Sequence, residues 1–260
     1  MSNIAKAFDH GKAFIPFITA GDPSADRTVE LILKMEQAGA DLIEIGIPFS
    51  DPIAEGVVIQ NANIRALSAG MTTDGVFRIV ARVREKSAIP LVLLTYLNPV
   101  FHYGYEAFFS RCEQVGVDGI IIPDLPFEEK GELSGIAAAH GVDVVSLVAP
   151  TSEQRIQEIA KDAAGFLYIV SSMGVTGVRS EIKTDLESIV QAVREAADVP
   201  TAIGFGISTP EQAEQMARIA DGAIVGSAIV RLIERYGEDA DGPVTEYVRS
   251  MKQAVGKAEQ

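Results

Sequence analysis

The chain has 260 residues, 47% of them hydrophobic, which is enough for a sizeable core and is the usual length of a single α/β barrel. Its formal net charge of −14 argues against a nucleic-acid or anionic-membrane partner, because phosphate groups repel such a surface. With Cys112 as the only cysteine, an intramolecular disulfide is excluded.

Eight short runs rich in Val, Ile, Leu and Phe recur along the chain and predict eight strands. Most of them are apolar at nearly every position rather than at alternate positions. That pattern is typical of parallel strands that are covered on both faces. The runs are 13–21, 42–48, 89–96, 118–126, 143–150, 166–171, 200–206 and 222–228.

Segments with helical periodicity separate these runs. Several end in a glycine that is followed by the next strand, as expected for αβ turns. The predicted helices include 24–38, 57–69, 73–86, 104–114, 127–140, 152–163, 185–197 and 209–219.

Eight β/α repeats predict a (β/α)8 TIM barrel. We expect a single domain over residues 1–260, with a short N-terminal helix and a C-terminal helical extension, since no linker or shift in composition marks a boundary. The main alternative is an open doubly wound sheet, but its G-x-G-x-x-G motif is missing after the first strand.

The N-terminal segment and the lone cysteine bear on the location of the protein. Residues 1–14 lack a continuous apolar segment, and no apolar run approaches the roughly 20 residues of a membrane span. We therefore predict a cytoplasmic protein in a reducing compartment, with Cys112 as a small core residue.

Active sites of such barrels lie at the carboxyl ends of the strands. The segments "GFGIS" (204–208) and "VGSAIV" (225–230) place glycine before a helical start on the two last strands, with Ser227 at an N-terminal helix position. Glycine lets the backbone approach a ligand, and helix N-termini offer unpaired N–H groups to an anion. These segments predict a phosphate site, although the glycines could also serve tight turns alone.

Glu44 lies within the apolar strand "LIEIGIP". Alternation along the strand sends Ile43 and Ile45 outward and Glu44 into the barrel. A buried carboxyl without a partner has a raised pKa, which suits a group that both gives and takes a proton near neutrality. No Lys or Arg lies at the predicted strand ends, so an acid–base role is favoured over a structural ion pair.

Other polar residues follow the strands. Asp51 could cap a turn. Glu55 could orient a polar N–H of a substrate or be a solvated loop charge, and Asp124 ranks below Glu44 as a catalytic candidate. Tyr96 and Tyr168 carry polar tips near strand ends and are expected to play supporting roles. The residues alone leave these alternatives open.

Taken together, the segments resemble the tryptophan synthase α subunit family over almost the whole chain. The matching stretches are "PFITAGDP" (16–23), "IEIGIPFSDP" (43–52), "VIQNANIRAL" (58–67), "YLNPVFHYGYEAFF" (96–109), "GIIIPDLPFEE" (119–129), "SSMGVTGVR" (171–179), "IGFGIS" (203–208) and "AIVGSAIV" (223–230).

The resemblance implies a reaction, the retro-aldol cleavage of indole-3-glycerol phosphate to indole and glyceraldehyde-3-phosphate. It implies that Glu44 is the acid–base residue, that Glu55 is the second catalytic acid and that Tyr168 lies near Glu44. Thr176 would belong to a loop that closes over the substrate. No metal or organic cofactor is implied for this chain.

The resemblance also supplies the expected substrate contacts. The indole walls would be Phe17, Leu94 and Phe205. The phosphate contacts would be Gly177, Gly206, Gly226 and Ser227.

One departure from the family pattern concerns the second acid. The family loop reads A-D-G-P, whereas this chain has Glu55 for the aspartate and Val57 for the proline. A misplacement of about 1 Å can lower a rate by about 100-fold. The hypothesis is that loss of the proline lets the loop retract and seat the longer Glu55.

The family further implies a partner, a pyridoxal-phosphate-dependent β subunit that receives indole through a tunnel in an α2β2 complex. Asp51, Pro52 and Ile53 are expected contacts. Two alternatives remain: another phosphate-binding barrel enzyme, such as an isomerase or aldolase, and a nearly inert subunit that mainly activates β. The predicted strands contain neither the lysine of a Schiff-base aldolase nor the histidine expected of an isomerase.

Overall fold

The computed structural model describes residues 3–170, 179–204 and 206–258, with the backbone alone for 179–185. Eight parallel strands form a closed barrel in chain order, and the last strand pairs with the first. This confirms the predicted (β/α)8 barrel and excludes the open sheet. The strands are β1 (Ala13–Thr19), β2 (Ile43–Gly46), β3 (Leu91–Leu94), β4 (Gly119–Ile121), β5 (Asp143–Val148), β6 (Leu167–Val170), β7 (Thr201–Gly204) and β8 (Gly222–Val225).

Helices surround the barrel. They are α1 (Ala25–Gln37), α2 (Val57–Ser68), α3 (Thr73–Arg84), α4 (Leu97–Tyr103), α5 (Tyr105–Val115), α6 (Gly131–Ala139), α7 (Glu153–Lys161), α8 (Arg179–Ala196), α9 (Pro210–Ile219), α10 (Ser227–Tyr236) and α11 (Asp241–Lys257). Short 3-10 helices lie at Asn3–Phe8, Phe127–Glu129 and Gly237–Asp239.

Two helices differ from the sequence prediction. Helix α4 was missed, because it follows directly after the run 89–96 that was predicted as a strand and because Pro99 reads as a breaker. Pro99 occupies the third helical position, where its missing N–H has no acceptor to lose. Helix α8 begins at Arg179 rather than at 185.

The amino end of the barrel is closed by the N-terminal 3-10 helix. Ile4 is fully buried and belongs to the apolar cluster inside the barrel with Phe166. A Cβ atom on Gly119 would lie 2.7 Å from the Ile4 side chain, so this close contact requires glycine in β4. The N-terminal 3-10 helix therefore covers the interior at this end. That residues 1–260 behave as one domain stays a prediction.

The side chains of β2 alternate between the interior and the exterior of the barrel, as predicted. Leu42 belongs to the cluster inside the barrel, whereas Ile43 and Ile45 pack in the outer cluster between strands and helices. Glu44 consequently faces the interior, where it is paired in register with Phe17 of β1.

A repeated aspartate contact ties neighbouring strands together at the amino end. An Asp just before β2, β4 or β8 accepts a hydrogen bond from a backbone N–H in the preceding strand, at 2.7–2.9 Å. A Lys or Arg side chain neutralises each carboxylate. The pairs are Asp41 with Phe14, Asp118 with Leu91, and Asp221 with Thr201.

We expect Asp118→Ala to destabilise the fold by about 3 kcal/mol, because it leaves a half-buried guanidinium and a buried N–H without their acceptor. Arg84 Nη2 lies 2.7 Å from the Asp118 carboxylate, and Asp118 is only 7% exposed. Urea unfolding followed by circular dichroism measures the loss.

The matched control is Glu246→Ala, which removes an ion pair with Arg249 on the exposed surface of α11 and should change stability little. If both variants unfold at the same urea concentration, the aspartate contact does not stabilise the barrel.

Candidate active site

A cavity of about 720 Å³ opens at the carboxyl ends of the strands. It collects eight of the eleven residues that the sequence analysis assigned to catalysis or substrate binding: Phe17, Glu44, Glu55, Leu94, Tyr168, Gly206, Gly226 and Ser227. The other three, Thr176, Gly177 and Phe205, lie outside the described residues. Residues that are far apart in sequence are thus brought to one site, while their individual roles stay predictions.

Glu44 is the most deeply buried acid of the cavity, with 2% of its surface exposed. In the described part of the chain no cation or hydrogen-bond donor contacts its carboxyl group. Burial, and then the nearby charge of Glu55, raise the pKa of Glu44 to about 8. At neutral pH this carboxyl is therefore mainly protonated and can donate a proton.

Glu55 enters the same cavity from the loop between β2 and α2. Asn63 Nδ2 donates a hydrogen bond to Glu55 Oε2 at 2.7 Å, and Gln60 Nε2 donates to the Glu55 carbonyl oxygen at 2.8 Å. Burial raises the pKa of Glu55, whereas hydrogen bonds from Asn63 and then Tyr96 oppose the rise. Those hydrogen bonds favour the ionised form, in contrast to the environment of Glu44.

Tyr96 connects β3 to the loop that carries Glu55. Its hydroxyl accepts a hydrogen bond from Ala54 N at 3.1 Å, and its ring centroid lies 5.5 Å from that of Phe49. Burial raises the pKa of Tyr96 to about 12, so the hydroxyl stays protonated. Tyr96 thereby fixes the backbone just before Glu55.

Tyr168 lies in β6 with its hydroxyl inside the barrel. Burial, and then the charge of Glu44, raise the pKa of Tyr168 well above its ordinary value. A Cβ atom on Gly204 would lie 2.1 Å from the Tyr168 hydroxyl oxygen, so glycine in β7 makes room for this ring. Tyr168 therefore remains neutral beside the acid pair.

Apolar side chains form the wall next to Glu44. Phe17 is 4% exposed and packs with Ala62, Val230 and Leu94 in a small cluster at the mouth of the barrel. Such a wall keeps water from the carboxyl group and offers a flat surface for an aromatic ligand.

The end of the cavity formed by the segments after β7 and β8 is suited to an anion. Gly206 has φ +76°, which favours glycine and exposes its backbone after β7. Helix α10 begins at Ser227 directly after β8, as expected, and its first N–H groups have no partners within the helix. This end combines two features that bind phosphate in barrels of this kind.

Three residues that the sequence analysis considered lie outside the cavity. Asp124 accepts a hydrogen bond from Leu97 N at 2.9 Å and so caps α4, and neither it nor the exposed Asp51 lines the cavity. Cys112 is fully buried, as expected for a core residue.

Sequence reasoning missed two residues that the structure adds to the site. Asn63 was part of the quoted segment "VIQNANIRAL", but only the fold shows that α2 carries it back to Glu55. Arg231 lines the cavity beside the start of α10. The sequence could have indicated Arg231, because it lies four residues after Ser227 and residues at this spacing share one face of a helix.

The described residues include no cluster of three or more His, Cys, Asp or Glu that could hold a metal ion. Within the same residues, no helix is long and apolar enough to cross a membrane. The cytoplasmic location stays a prediction.

A closed barrel with an acid pair, an aromatic wall and an anion site at its carboxyl end defines the class of (β/α)8-barrel enzymes that act by acid–base chemistry on a phosphate ester. Residues 4–258 match the family described as tryptophan synthase alpha chain. The chain belongs to this family.

Individual relatives agree with the family. The tryptophan synthase alpha chain of Lacticaseibacillus casei is 48% identical over 260 residues, which are 100% of this chain and 98% of that protein. The crystal structure of tryptophan synthase subunit alpha from Legionella pneumophila str. Paris aligns with a TM-score of 0.90 at 37% identity and covers 99% of both chains. A chain from the tryptophan synthase a2b2 complex of Pyrococcus furiosus has a TM-score of 0.85 at 37% identity, covering 93% of this chain and 98% of that chain.

The burial of Glu44 predicts a specific pH dependence of stability. The folded protein keeps a proton on Glu44 up to about pH 8, whereas the unfolded chain releases it near 4.5. The free energy of unfolding should therefore fall as pH rises through this window, by up to about 1.4 kcal/mol per pH unit from this group.

Glu44→Gln should remove that loss, so the variant gains stability relative to the natural protein between pH 5 and pH 8. Urea unfolding at several pH values measures the difference, with the exposed Glu195→Gln as the control that follows the natural protein. Parallel curves for Glu44→Gln and the natural protein would contradict the raised pKa.

Proposed function

We propose that this chain cleaves indole-3-glycerol phosphate to indole and glyceraldehyde-3-phosphate, the α reaction of tryptophan biosynthesis. The observation that carries the proposal is the Glu44 carboxyl, which is buried in the barrel mouth, without a cation among the described residues and with its pKa raised to about 8. Membership of the tryptophan synthase alpha chain family supports the same reaction.

Glu44 serves as the acid and then as the base. Its protonated carboxyl gives a proton to C3 of the indole ring, which makes the ring an electron-accepting leaving group. The resulting carboxylate removes the proton from the hydroxyl group next to the bond that breaks. The C–C bond electrons return to the indole ring, the hydroxyl carbon becomes the aldehyde, and Glu44 ends protonated as it began.

Glu55 stabilises the intermediate in this scheme. Protonation at C3 places positive charge on the indole nitrogen, and a carboxylate that accepts a hydrogen bond from this N–H lowers the energy of that state. The hydrogen bond from Asn63 keeps Glu55 in position and favours its ionised form. The reaction thus uses Glu44 as the proton donor and Glu55 as the carboxylate, and the hydrogen bonds to Glu55 support this division.

The remaining parts of the cavity position the substrate. The indole ring lies against Phe17 and Leu94, and the phosphate lies against the backbone of Gly206 and the start of α10 at Ser227. Binding at both ends fixes the scissile bond beside Glu44, which converts binding energy into orientation. The proposed roles of Thr176, Gly177 and Phe205 belong to residues outside the described part of the chain.

We also propose that the chain assembles with a β subunit in an α2β2 complex, as does the Pyrococcus furiosus relative. Large apolar side chains are exposed around the cavity mouth, on the β2–α2 loop, at the start of α2 and on α4. Ile53 is 78% exposed, Val57 66% and Phe101 69%. Such exposed apolar residues near one rim are typical of a protein–protein interface.

Glu44→Gln should lower kcat by about 100-fold or more, because the amide can neither give nor take the proton.

Glu55→Gln should also lower kcat by about 100-fold, because it removes the charge that stabilises the intermediate. Release of indole from indole-3-glycerol phosphate is the measurement, with and without the β subunit.

Glu195→Gln on the exposed face of α8 is the control and should turn over normally. If the isolated chain and its complex with β both release no indole, the protein is the inert activating subunit rather than the enzyme. If Glu55→Gln keeps full activity, Glu55 is not the second acid.

Phe101→Ser should weaken binding of the β subunit by about tenfold, since it removes an exposed aromatic anchor from the rim. Ile64→Ser is the matched control, because Ile64 is 61% exposed but lies midway along α2 rather than at the rim. Equal dissociation constants for the two variants in surface plasmon resonance would place the interface elsewhere.

A further inference from the structure

Arg231 occupies a defined position relative to the anion end of the cavity. It lies four residues after Ser227 on α10, so the two side chains share one face of the helix. Side chains of a helix lean toward its N-terminus, and an arginine one turn along therefore reaches back over the first turn. Arg231 accordingly lines the cavity together with Gly226 and Ser227.

The cationic residues of the described cavity wall differ in their partners. Lys130 Nζ lies 3.0 Å from Asp162 Oδ2, and Arg155 is paired with Glu128. Arg231 has no hydrogen bond or ion pair within the described part of the chain. Its guanidinium is consequently the cation of this wall that is available to a ligand.

The charges around the cavity make such a cation useful. Glu44 and Glu55 lie in the same space, and the whole chain carries a net charge of −14. A helix N-terminus contributes only about half a positive charge, whereas a phosphate ester carries nearly two negative ones. A guanidinium can add a full charge and two parallel hydrogen bonds to phosphate oxygens.

We propose that Arg231 is a further substrate-binding residue, which pairs with the phosphate group and selects phosphorylated glycerol compounds over their uncharged analogues. The inference rests on the proposed function for the identity of the substrate. The phosphate is remote from the bond that breaks, so this contact is the same in the ground state and the transition state. Its loss raises KM and leaves kcat unchanged.

Binding of glycerol 3-phosphate, measured by isothermal titration calorimetry, tests the contact without any turnover. Arg231→Gln should weaken binding about tenfold, as expected for one charge-assisted pair, and Arg231→Lys should weaken it about threefold because the charge remains without the planar fork. The affinity of the natural protein should fall more steeply with added KCl than that of Arg231→Gln.

Arg235→Gln is the matched control. Arg235 lies one further turn along α10, over the ring of Tyr236 at 5.3 Å, and does not line the cavity. This variant should bind glycerol 3-phosphate as the natural protein does. In the indole assay, Arg231→Gln should show a KM about tenfold higher with kcat within twofold.

The outcomes separate the two proposals. One outcome is that the natural protein releases no indole, but Arg231→Gln still binds glycerol 3-phosphate about tenfold more weakly than the natural protein does. In that case the proposed α reaction is wrong, and the proposed phosphate contact of Arg231 is kept. Equal affinity of Arg231→Gln and the natural protein, or no binding by either, overturns the role of Arg231. A fall in kcat with unchanged KM also overturns it.

Discussion

Desolvation of the Glu44 carboxyl inside a closed barrel is the constraint on which the rest of the site depends. Strand alternation forces this side chain inward, Ile4 seals the amino end below it, and Phe17 covers it beside the cavity. Because the carboxyl meets no counter-ion in the described structure, its neutral form is favoured. The barrel therefore holds a protonated acid at a pH where an exposed glutamate is ionised.

A second acid makes this arrangement chemically useful, because hydrogen bonds oppose the rise of the Glu55 pKa, whereas no group in the described structure opposes the rise for Glu44. Glu44 has apolar neighbours, whereas Glu55 is held by the Asn63 amide and the Tyr96 hydroxyl. The ionised form of Glu55 also raises the pKa of Glu44, so the carboxylate state of Glu55 favours the donor state of Glu44.

Local patterns in the sequence were sufficient for the barrel, because each apolar run contains a strand and the inward direction of Glu44 follows from a period of two. Contacts between individual polar side chains were harder to predict. Nothing local to Asn63 indicates that α2 returns it to Glu55, and a proline in the first turn concealed α4. Asp124 was weighed as a catalytic candidate because strand-end acids look alike in sequence, although its carboxylate caps a helix.

The substitution of glutamate for the aspartate of the family is best understood through these long-range contacts. Helix α2 begins at Val57, a position that proline also occupies without loss of a helical hydrogen bond. The retraction of the loop stays a prediction, and the Glu55 side chain has defined partners in this chain: Asn63 meets the carboxylate at 2.7 Å, and Tyr96 fixes Ala54 just before it. The position of the second acid is therefore set by a buried amide and a phenol that both remain neutral, and neither competes with Glu44 for the proton that the reaction moves.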